Sequence, residues 1–340
     1  MSDTLLNHRI RLASRPHGEP TAENFQHDAV AVAAPGDGQV LLRTRYLSLD
    51  PYVRGRMSDA PSYAAPMEVG DVIVGATVSE VVESEAEGYS PGDVVLSYGG
   101  WQEYSVEPAT RLRRLDPDAA PVTTALGVLG MPGFTAYAGL RAIGKPQPGE
   151  TLVVAAATGP VGSAVGQIAR IQGARAVGIA GGERKTAHLH ELGFDEALDH
   201  RAPDLPGRLA AAAPDGIDVY FENVGGPVFA AVLPLLNTFA RVPVCGLAAT
   251  YNATGLPEGP DRSAALMGAV LAKSLTLRGF IQTEFAPAMF EDFLREMTGW
   301  IASGQVRWTE DITDGLEHAP DAFVGMLRGE NFGKAIIHVS

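Results

Sequence analysis

Short bursts of alternating apolar and polar residues, punctuated by Gly and Pro, dominate the first third of the chain. Residues 39–49, 69–82, 93–98 and 103–106 read as strands, with turns at Pro91-Gly92-Asp93 and Gly99-Gly100. Strands at that spacing predict a smaller, barrel-like β domain over residues 1–125. From residue 151 the pattern changes. Apolar runs at 151–157, 174–180, 196–199, 217–224, 241–246 and 275–280 alternate with stretches of helical period at 161–172, 183–192, 205–213, 227–237 and 263–273. The first, fourth and fifth runs lack polar alternation, as a parallel sheet covered on both faces requires. The expectation is an α/β chain. A doubly wound parallel sheet occupies 126–305, and residues 306–340 return to the β domain through an extended segment at 334–339, after an amphipathic helix near 287–303.

The first apolar run opens directly into a helix through Ala155-Ala156-Ala157-Thr158-Gly159-Pro160-Val161-Gly162, with Gly166 one turn on. This matches the dinucleotide pattern G-x-G-x-x-G of a Rossmann sheet, with Ala157 at its first position. Gly159 lets backbone approach a pyrophosphate and Gly162 lets helix and strand pack closely, while the N–H groups at the helix start face negative charge. A tight strand-to-helix turn with no ligand would use similar glycines, but the strand–turn–helix context favours a dinucleotide. Selectivity for NAD needs an acid at the end of the second strand to hold the ribose. Here that strand ends Ile179-Ala180-Gly181-Gly182, followed by Glu183, Arg184 and Lys185. Two cations beside a glycine turn suit a 2′-phosphate, so NADP(H) is the expected cofactor.

The chain resembles the medium-chain dehydrogenase/reductase superfamily, in its zinc-independent, NADPH-dependent alkenal and prostaglandin reductase branch, the group containing curcumin reductases. The resemblance runs over essentially the whole chain. Leu47-Ser48-Leu49-Asp50-Pro51-Tyr52-Val53-Arg54 is similar to the branch's first active-site loop, and Gly130-Met131-Pro132-Gly133-Phe134-Thr135-Ala136-Tyr137 to the helix that enters the nucleotide domain. Gly181-Gly182-Glu183-Arg184-Lys185 is similar to its 2′-phosphate loop. Phe221-Glu222-Asn223-Val224-Gly225-Gly226, Cys245-Gly246 with Tyr251-Asn252, and Glu330-Asn331-Phe332-Gly333-Lys334 complete the set. The branch often has Ser where this chain has Gly182 and Tyr where it has His200, which leaves His200 as either a cofactor contact or a surface residue.

The resemblance implies a β-rich catalytic domain, an NADP-binding domain, and a homodimer joined through an edge strand of the nucleotide-domain sheet. It implies cofactor contacts at Gly159, Pro160, Val161, Gly162, Gly182, Lys185, Asn223 and Cys245, with Asn331 and Gly333 on the nicotinamide carboxamide. Tyr52, Tyr63, Met67 and Met131 are candidate pocket walls, each equally readable as core. Cys245 reads as a small buried filler rather than a nucleophile.

Metal chemistry is not expected. A structural zinc needs a cluster of cysteines and a catalytic one needs thiolate or imidazole ligands, yet Cys245 is the one cysteine in the chain. His188 and His190 lie two apart in a predicted helix and point away from each other, so they read as surface histidines. Reduction of a simple ketone then lacks an oxyanion partner, whereas hydride added to the β-carbon of an enone spreads charge into an enolate that needs only a hydrogen-bond donor. The resemblance implies Tyr251 and the cofactor ribose hydroxyl as donors; Tyr251 can also be read as a loop tyrosine that only packs. The expected function is NADPH-dependent reduction of the C=C bond of α,β-unsaturated aldehydes and ketones. Two other readings share these features, an NADPH:quinone oxidoreductase and a non-catalytic NADPH-binding protein.

Composition narrows the surroundings. A formal net charge of −14 argues against a nucleic-acid surface. A lone cysteine fits a reducing cytoplasm. The start, Met1-Ser2-Asp3-Thr4, shows no secretory signal and no apolar run reaches membrane-spanning length; the sequon Asn252-Ala253-Thr254 therefore reads as chance.

Overall fold

The computed structural model describes residues 5–255 and 259–339. The reading of the amino terminus therefore lies outside the described residues, as does part of the segment after Tyr251. The chain divides into two units, Met1–Leu126 with Glu310–Ser340, and Gly127–Thr309.

Gly127–Thr309 is built on a six-stranded sheet in which every pairing is parallel. Its spatial order is Glu196–Asp199, Arg175–Ala180, Thr151–Ala155, Ile217–Phe221, Leu236–Val244 and Thr276–Gly279. The order reverses between Thr151–Ala155 and Ile217–Phe221, which is the doubly wound Rossmann topology. Val153, Val154, Val177, Val219, Tyr220 and Val242 are completely buried, because helices cover both faces. Burying a side chain of this kind is worth about 1.5–3 kcal/mol.

Two boundaries differ from the sequence pattern. The helix read over 227–237 stops at Val232, passes through a 3-10 turn at Leu233–Leu235, and is already strand at Leu236. Pro234 cannot donate the N–H that would continue the helix. The fifth strand therefore starts early and bulges: Ile217 faces Leu236, but Val219 faces Arg241.

The other unit carries a seven-stranded sheet ordered Glu310–Asp314, Lys334–His338, Gln39–Ser48, Thr77–Ser84, Val94–Ser97 and Arg113–Arg114, with Tyr104–Pro108 also paired to Gln39–Ser48. A two-stranded hairpin, Leu6–Leu12 with Phe25–Ala31, lies outside the predicted strands. Its polar residues hide it: Arg9 and Arg11 both pair with Asp28, while Ile10, Leu12 and Phe25 face the core. The strand read over 69–82 begins only at Thr77. Before it, Ile73 donates its N–H to Ile10 and Leu12 donates to Asp71, so this stretch serves the hairpin without forming a ladder. Trp101, fully buried, stacks on Phe25 at 5.9 Å and meets Phe323 edge-on at 5.6 Å.

Candidate active site

The glycine loop of the Rossmann unit is shaped by what cannot fit in it. After Ala155 the chain turns through Ala156 at φ +51° and reaches Gly159, the N-cap of the helix Pro160–Ile171, with Pro160 in its first turn. A Cβ on Gly162 would stand 2.4 Å from the Ala156 carbonyl oxygen and 2.7 Å from the Ala157 Cα. One on Gly166 would stand 2.0 Å from the Phe194 ring. Hydrogen at these positions lets the helix sit down on the sheet, with its free N–H groups, including those near Val161, at the carboxyl end of the first strand.

The second strand ends at Gly181-Gly182, and Gly182, at φ +92°, caps the helix Glu183–Glu191. The Asp199 carboxylate, at the end of the third strand, accepts the N–H groups of Gly182 and Arg201 at 2.9 Å each, which holds it below the usual carboxylate range. His200 donates its N–H to Ala180 at 2.9 Å, and a Cβ on Gly181 would lie 2.9 Å from both His200 Nε2 and Arg201 Nε. Lost solvent, then the charges of Arg201 and Lys185, lower the pKa of His200. Lys185, His200 and Arg201 thus gather around one glycine turn whose only strand-end carboxylate is bound to backbone.

At the point where the strand order reverses, Asn223 Nδ2 donates to the Ala155 carbonyl at 2.9 Å, tying the fourth strand's end to the first. Glu222, only 2% exposed, accepts from Val224 N–H and Gly225 N–H at 2.7 Å and from the Tyr220 hydroxyl at 3.1 Å, all on Oε1. Burial nevertheless raises its pKa. Cys245 and Gly246 donate their N–H groups to the Glu222 carbonyl at 2.9 and 3.1 Å. Burial, then Glu222, pushes the Cys245 thiol up to about 12, so it is no thiolate at neutral pH. Tyr251 follows a 3-10 turn, Ala248–Thr250, and its hydroxyl is 2.8 Å from where a Gly246 Cβ would be. In the same unit, Met131 opens the helix Met131–Gly139 and its sulfur accepts from the Thr135 hydroxyl at 3.7 Å.

In the β unit, Lys334 and Asp50 are both buried and pair at 2.9 Å, and Lys334 Nζ also donates to the Leu49 carbonyl at 2.6 Å. The Ser48 hydroxyl donates to the second Asp50 oxygen. This joins the loop carrying Tyr52 to the segment carrying Asn331 and Gly333. Asn331 Nδ2 donates to the Gly333 carbonyl at 2.7 Å, and Gly333 sits at φ +88°, where a side chain would be strained. Burial, then the Asp50 charge, raises the pKa of the Tyr52 hydroxyl, and Tyr63 lies close enough to add to it. Tyr63 is 65% exposed, whereas Met67 is 2% exposed and packs with Leu49, Met57 and Ile73 in the core, so Met67 is not an open wall.

A family model described as the N-terminal domain of oxidoreductase matches residues 8–115, and one described as zinc-binding dehydrogenase matches residues 160–299. The chain is 57% identical to an NADPH-dependent curcumin reductase of Escherichia coli over 98% of its length and 97% of that protein's. It is 39% identical to prostaglandin reductase 1 of Rattus norvegicus over 94% and 95% of the two chains. The structure of CurA in complex with NADPH from Vibrio vulnificus superposes with a TM-score of 0.95 at 51% identity, covering 98% and 99% of the two chains. The chain belongs to the medium-chain dehydrogenase/reductase superfamily. It is similar over nearly its whole length to the curcumin and prostaglandin reductases of that superfamily.

The zinc in one family model's description has no counterpart in a ligand set here: among the described residues no group of three or more His, Cys, Asp or Glu side chains could hold a metal ion. His188 is half-buried, bonded to Glu191 and to Thr309 at 2.9 and 3.0 Å, and so is not the surface histidine read from the sequence. Sequence reasoning assigned no role to four residues that the structure singles out. Arg201 lies two residues past a predicted strand, and a cation there was the available signal. Glu222 is an acid at the end of an apolar run, and the Asp50–Lys334 pair joins two motifs far apart in sequence.

Proposed function

We propose that this reductase transfers hydride from NADPH to the β-carbon of an α,β-unsaturated aldehyde or ketone. The observation that carries this is the Tyr251 hydroxyl, held beside Gly246 at the carboxyl end of the fifth strand, in a unit whose glycine loop and cationic turn fit NADPH. Likeness to a curcumin reductase and a prostaglandin reductase supports the substrate class.

The residues fit NADPH. Gly159, Pro160, Val161 and Gly162 would hold the pyrophosphate on helix N–H groups, because no side chain intrudes there. Gly182, Lys185, His200 and Arg201 would hold the 2′-phosphate. Asn223 and Cys245 would border the cofactor through backbone, since the Asn223 amide is bonded to Ala155. In the β unit, Asn331 and Gly333 would take the nicotinamide carboxamide, and Tyr52 and Tyr63 would touch substrate, as would Met131 of the NADP-binding unit. Bound NADPH supplies the hydride. Tyr251 donates a hydrogen bond to the carbonyl oxygen as enolate charge builds there, and a proton then reaches the α-carbon.

The Gly127–Thr309 unit acts as the NADP-binding domain and the β unit as the catalytic domain. The protein works in the cytoplasm, where a chain with one cysteine needs no disulfide. Among the described residues no helix is long and apolar enough to cross a membrane. It forms a homodimer through the edge strand Thr276–Gly279 and the helix Ser263–Lys273, whose Met267 and Leu271 are 64% and 84% exposed.

Tyr251→Phe tests the mechanism. It keeps the ring and removes the donor, so kcat on a good enone should fall roughly 10-fold to 100-fold with little change in KM. Wild-type kcat, with a deuterated-cofactor isotope effect showing hydride transfer to be rate-limiting, would end the assignment. A parallel assay on an enal and a benzoquinone separates this reading from quinone reduction.

A further inference from the structure

We infer that Glu222 is a positioning residue, whose side-chain oxygen sets the place of the Tyr251 hydroxyl; the catalytic half of this inference rests on the role proposed above for Tyr251. Glu222 Oε1 collects Val224 N–H, Gly225 N–H and the Tyr220 hydroxyl, which folds residues 222–225 into a tight turn at the carboxyl end of Ile217–Phe221. That turn then carries the Tyr251 segment on its outward carbonyls. Ala248 N–H donates to Asn223 O at 3.1 Å, Ala249 N–H to Val224 O at 2.9 Å, and Gly246 N–H to Glu222 O at 3.1 Å. Tyr251 N–H closes the series on Ala248 O at 3.3 Å.

Close packing fixes the same relation. A Cβ on Gly225 would lie 3.1 Å from Leu247 Cδ2, and one on Gly226 would lie 3.2 Å from Ala249 Cβ, so the glycine backbone packs directly against the Leu247 and Ala249 side chains. A Cβ on Gly246 would lie 2.8 Å from the Tyr251 hydroxyl and 3.4 Å from Asn223 O, so the hydroxyl sits close to both Gly246 and the turn at Asn223. Without an acceptor at position 222, the buried Gly225 N–H and the half-buried Val224 N–H would lose their partner, and the turn would rearrange to pair them. Such a shift passes directly to residues 246–251. A hydroxyl displaced by about an ångström no longer points where the enolate charge forms.

The bonds from Val224, Gly225 and Tyr220 fall on the one oxygen Oε1, so an amide oxygen in its place can accept them too. Glu222→Gln should keep them, whereas Glu222→Met matches the length and offers no acceptor. The variants are compared as full-length protein, with 3-fluorotyrosine replacing tyrosine and the Tyr251 resonance assigned as the one absent in Tyr251→Phe. In Glu222→Met that fluorine resonance should shift or broaden; in Glu222→Gln it should stay at the wild-type position. An unmoved resonance in Glu222→Met overturns the inference whatever Tyr251 does in catalysis, even if the melting temperature falls. On an enone, Glu222→Met should lower kcat about 10-fold with KM little changed, and Glu222→Gln should restore it to within about threefold of wild type. The double variant Glu222→Met/Tyr251→Phe should be no slower than Tyr251→Phe by more than about twofold. Multiplicative losses would show that Glu222 acts elsewhere and would also overturn it. Should Tyr251→Phe alone keep the wild-type kcat, the enolate role falls, and the fluorine comparison still decides whether Glu222 places Tyr251.

Discussion

Lys185, His200 and Arg201 follow two different strand ends near the Gly181-Gly182 turn, the place proposed above for the 2′-phosphate. The charges of Lys185 and Arg201 would favour NADPH and offer nothing to the plain ribose of NADH. A hydrogen bond to a charged group is worth about 1.5–3 kcal/mol, or roughly one to two decades in affinity. Lys185→Ala and Arg201→Ala should each weaken NADPH binding by that range in a fluorescence titration and leave NADH binding nearly unchanged; equal losses on both cofactors would assign the residues to the fold. A second residue-scale prediction concerns Phe239, which holds φ +66° while 69% exposed. Left-handed backbone costs a residue with a side chain about 1–2 kcal/mol, and little burial compensates here. After allowing for glycine's larger unfolded-state entropy, Phe239→Gly should gain about 0.5–1 kcal/mol in urea unfolding; a loss would show that the ring carries weight the structure does not display. Single positions were legible from the sequence when a motif fixed their packing, as with Gly162. Glu222 and Lys334 were legible only as members of motifs and Arg201 not at all, because their surroundings depend on which N–H or carboxylate folding brings to them.

The helix Pro160–Ile171 shows how one element can be set by the side chains it lacks. Its first turn clears the Ala156 carbonyl only because position 162 has no Cβ, and both nearest atoms there are backbone, which cannot swing aside. Gly162→Ala should therefore lift the helix start away from the strand end and misdirect its N–H groups. Overpacking of this kind costs about 1–3 kcal/mol, and NADPH affinity should fall at least about 10-fold, read by calorimetry, through a turn that contacts no 2′-phosphate; the loss should therefore appear with NADH as well. Unchanged affinity for both would remove the helix start from the cofactor site. The elements of the Rossmann unit were readable because buried parallel strands are continuous apolar runs: Glu196–Asp199 and Ser263–Lys273 match the sequence reading at both ends. The hairpin Leu6–Leu12 with Phe25–Ala31 was not, since its charges are satisfied across the strands and mask the alternation beneath. The bulge at 237–240 was illegible for a related reason: register is a property of two strands, and neither carries it alone.

At the scale of the molecule, a chain of net charge −14 must bring copies together against their own repulsion if it is to dimerise. The surface that could do so is apolar. Thr276–Gly279 is the last strand in the sheet order, so among the described residues it has one strand partner, Leu236–Val244, and its other edge carries unpaired ladder groups. Beside it in sequence, the helix Ser263–Lys273 shows none of its residues fully buried and exposes Met267 and Leu271. An exposed edge with an adjoining apolar helix invites a second copy, because pairing two such edges across a two-fold axis satisfies both ladders and buries both helices. The protein should then run at about twice 35.7 kDa by light scattering after size-exclusion chromatography. Raising salt should strengthen this state, since screening weakens the repulsion between acidic copies and leaves apolar burial intact. Leu271→Glu places a charge where 84% of that leucine is exposed, so the isolated fold should tolerate it. Against a second copy it would bury two like charges about the two-fold axis, and the variant should run as a monomer with its melting curve still cooperative. Wild-type protein that elutes as a monomer at both low and high salt would remove the dimer. So would a Leu271→Glu variant that remains at twice the monomer mass, because the interface would then lie elsewhere on the molecule.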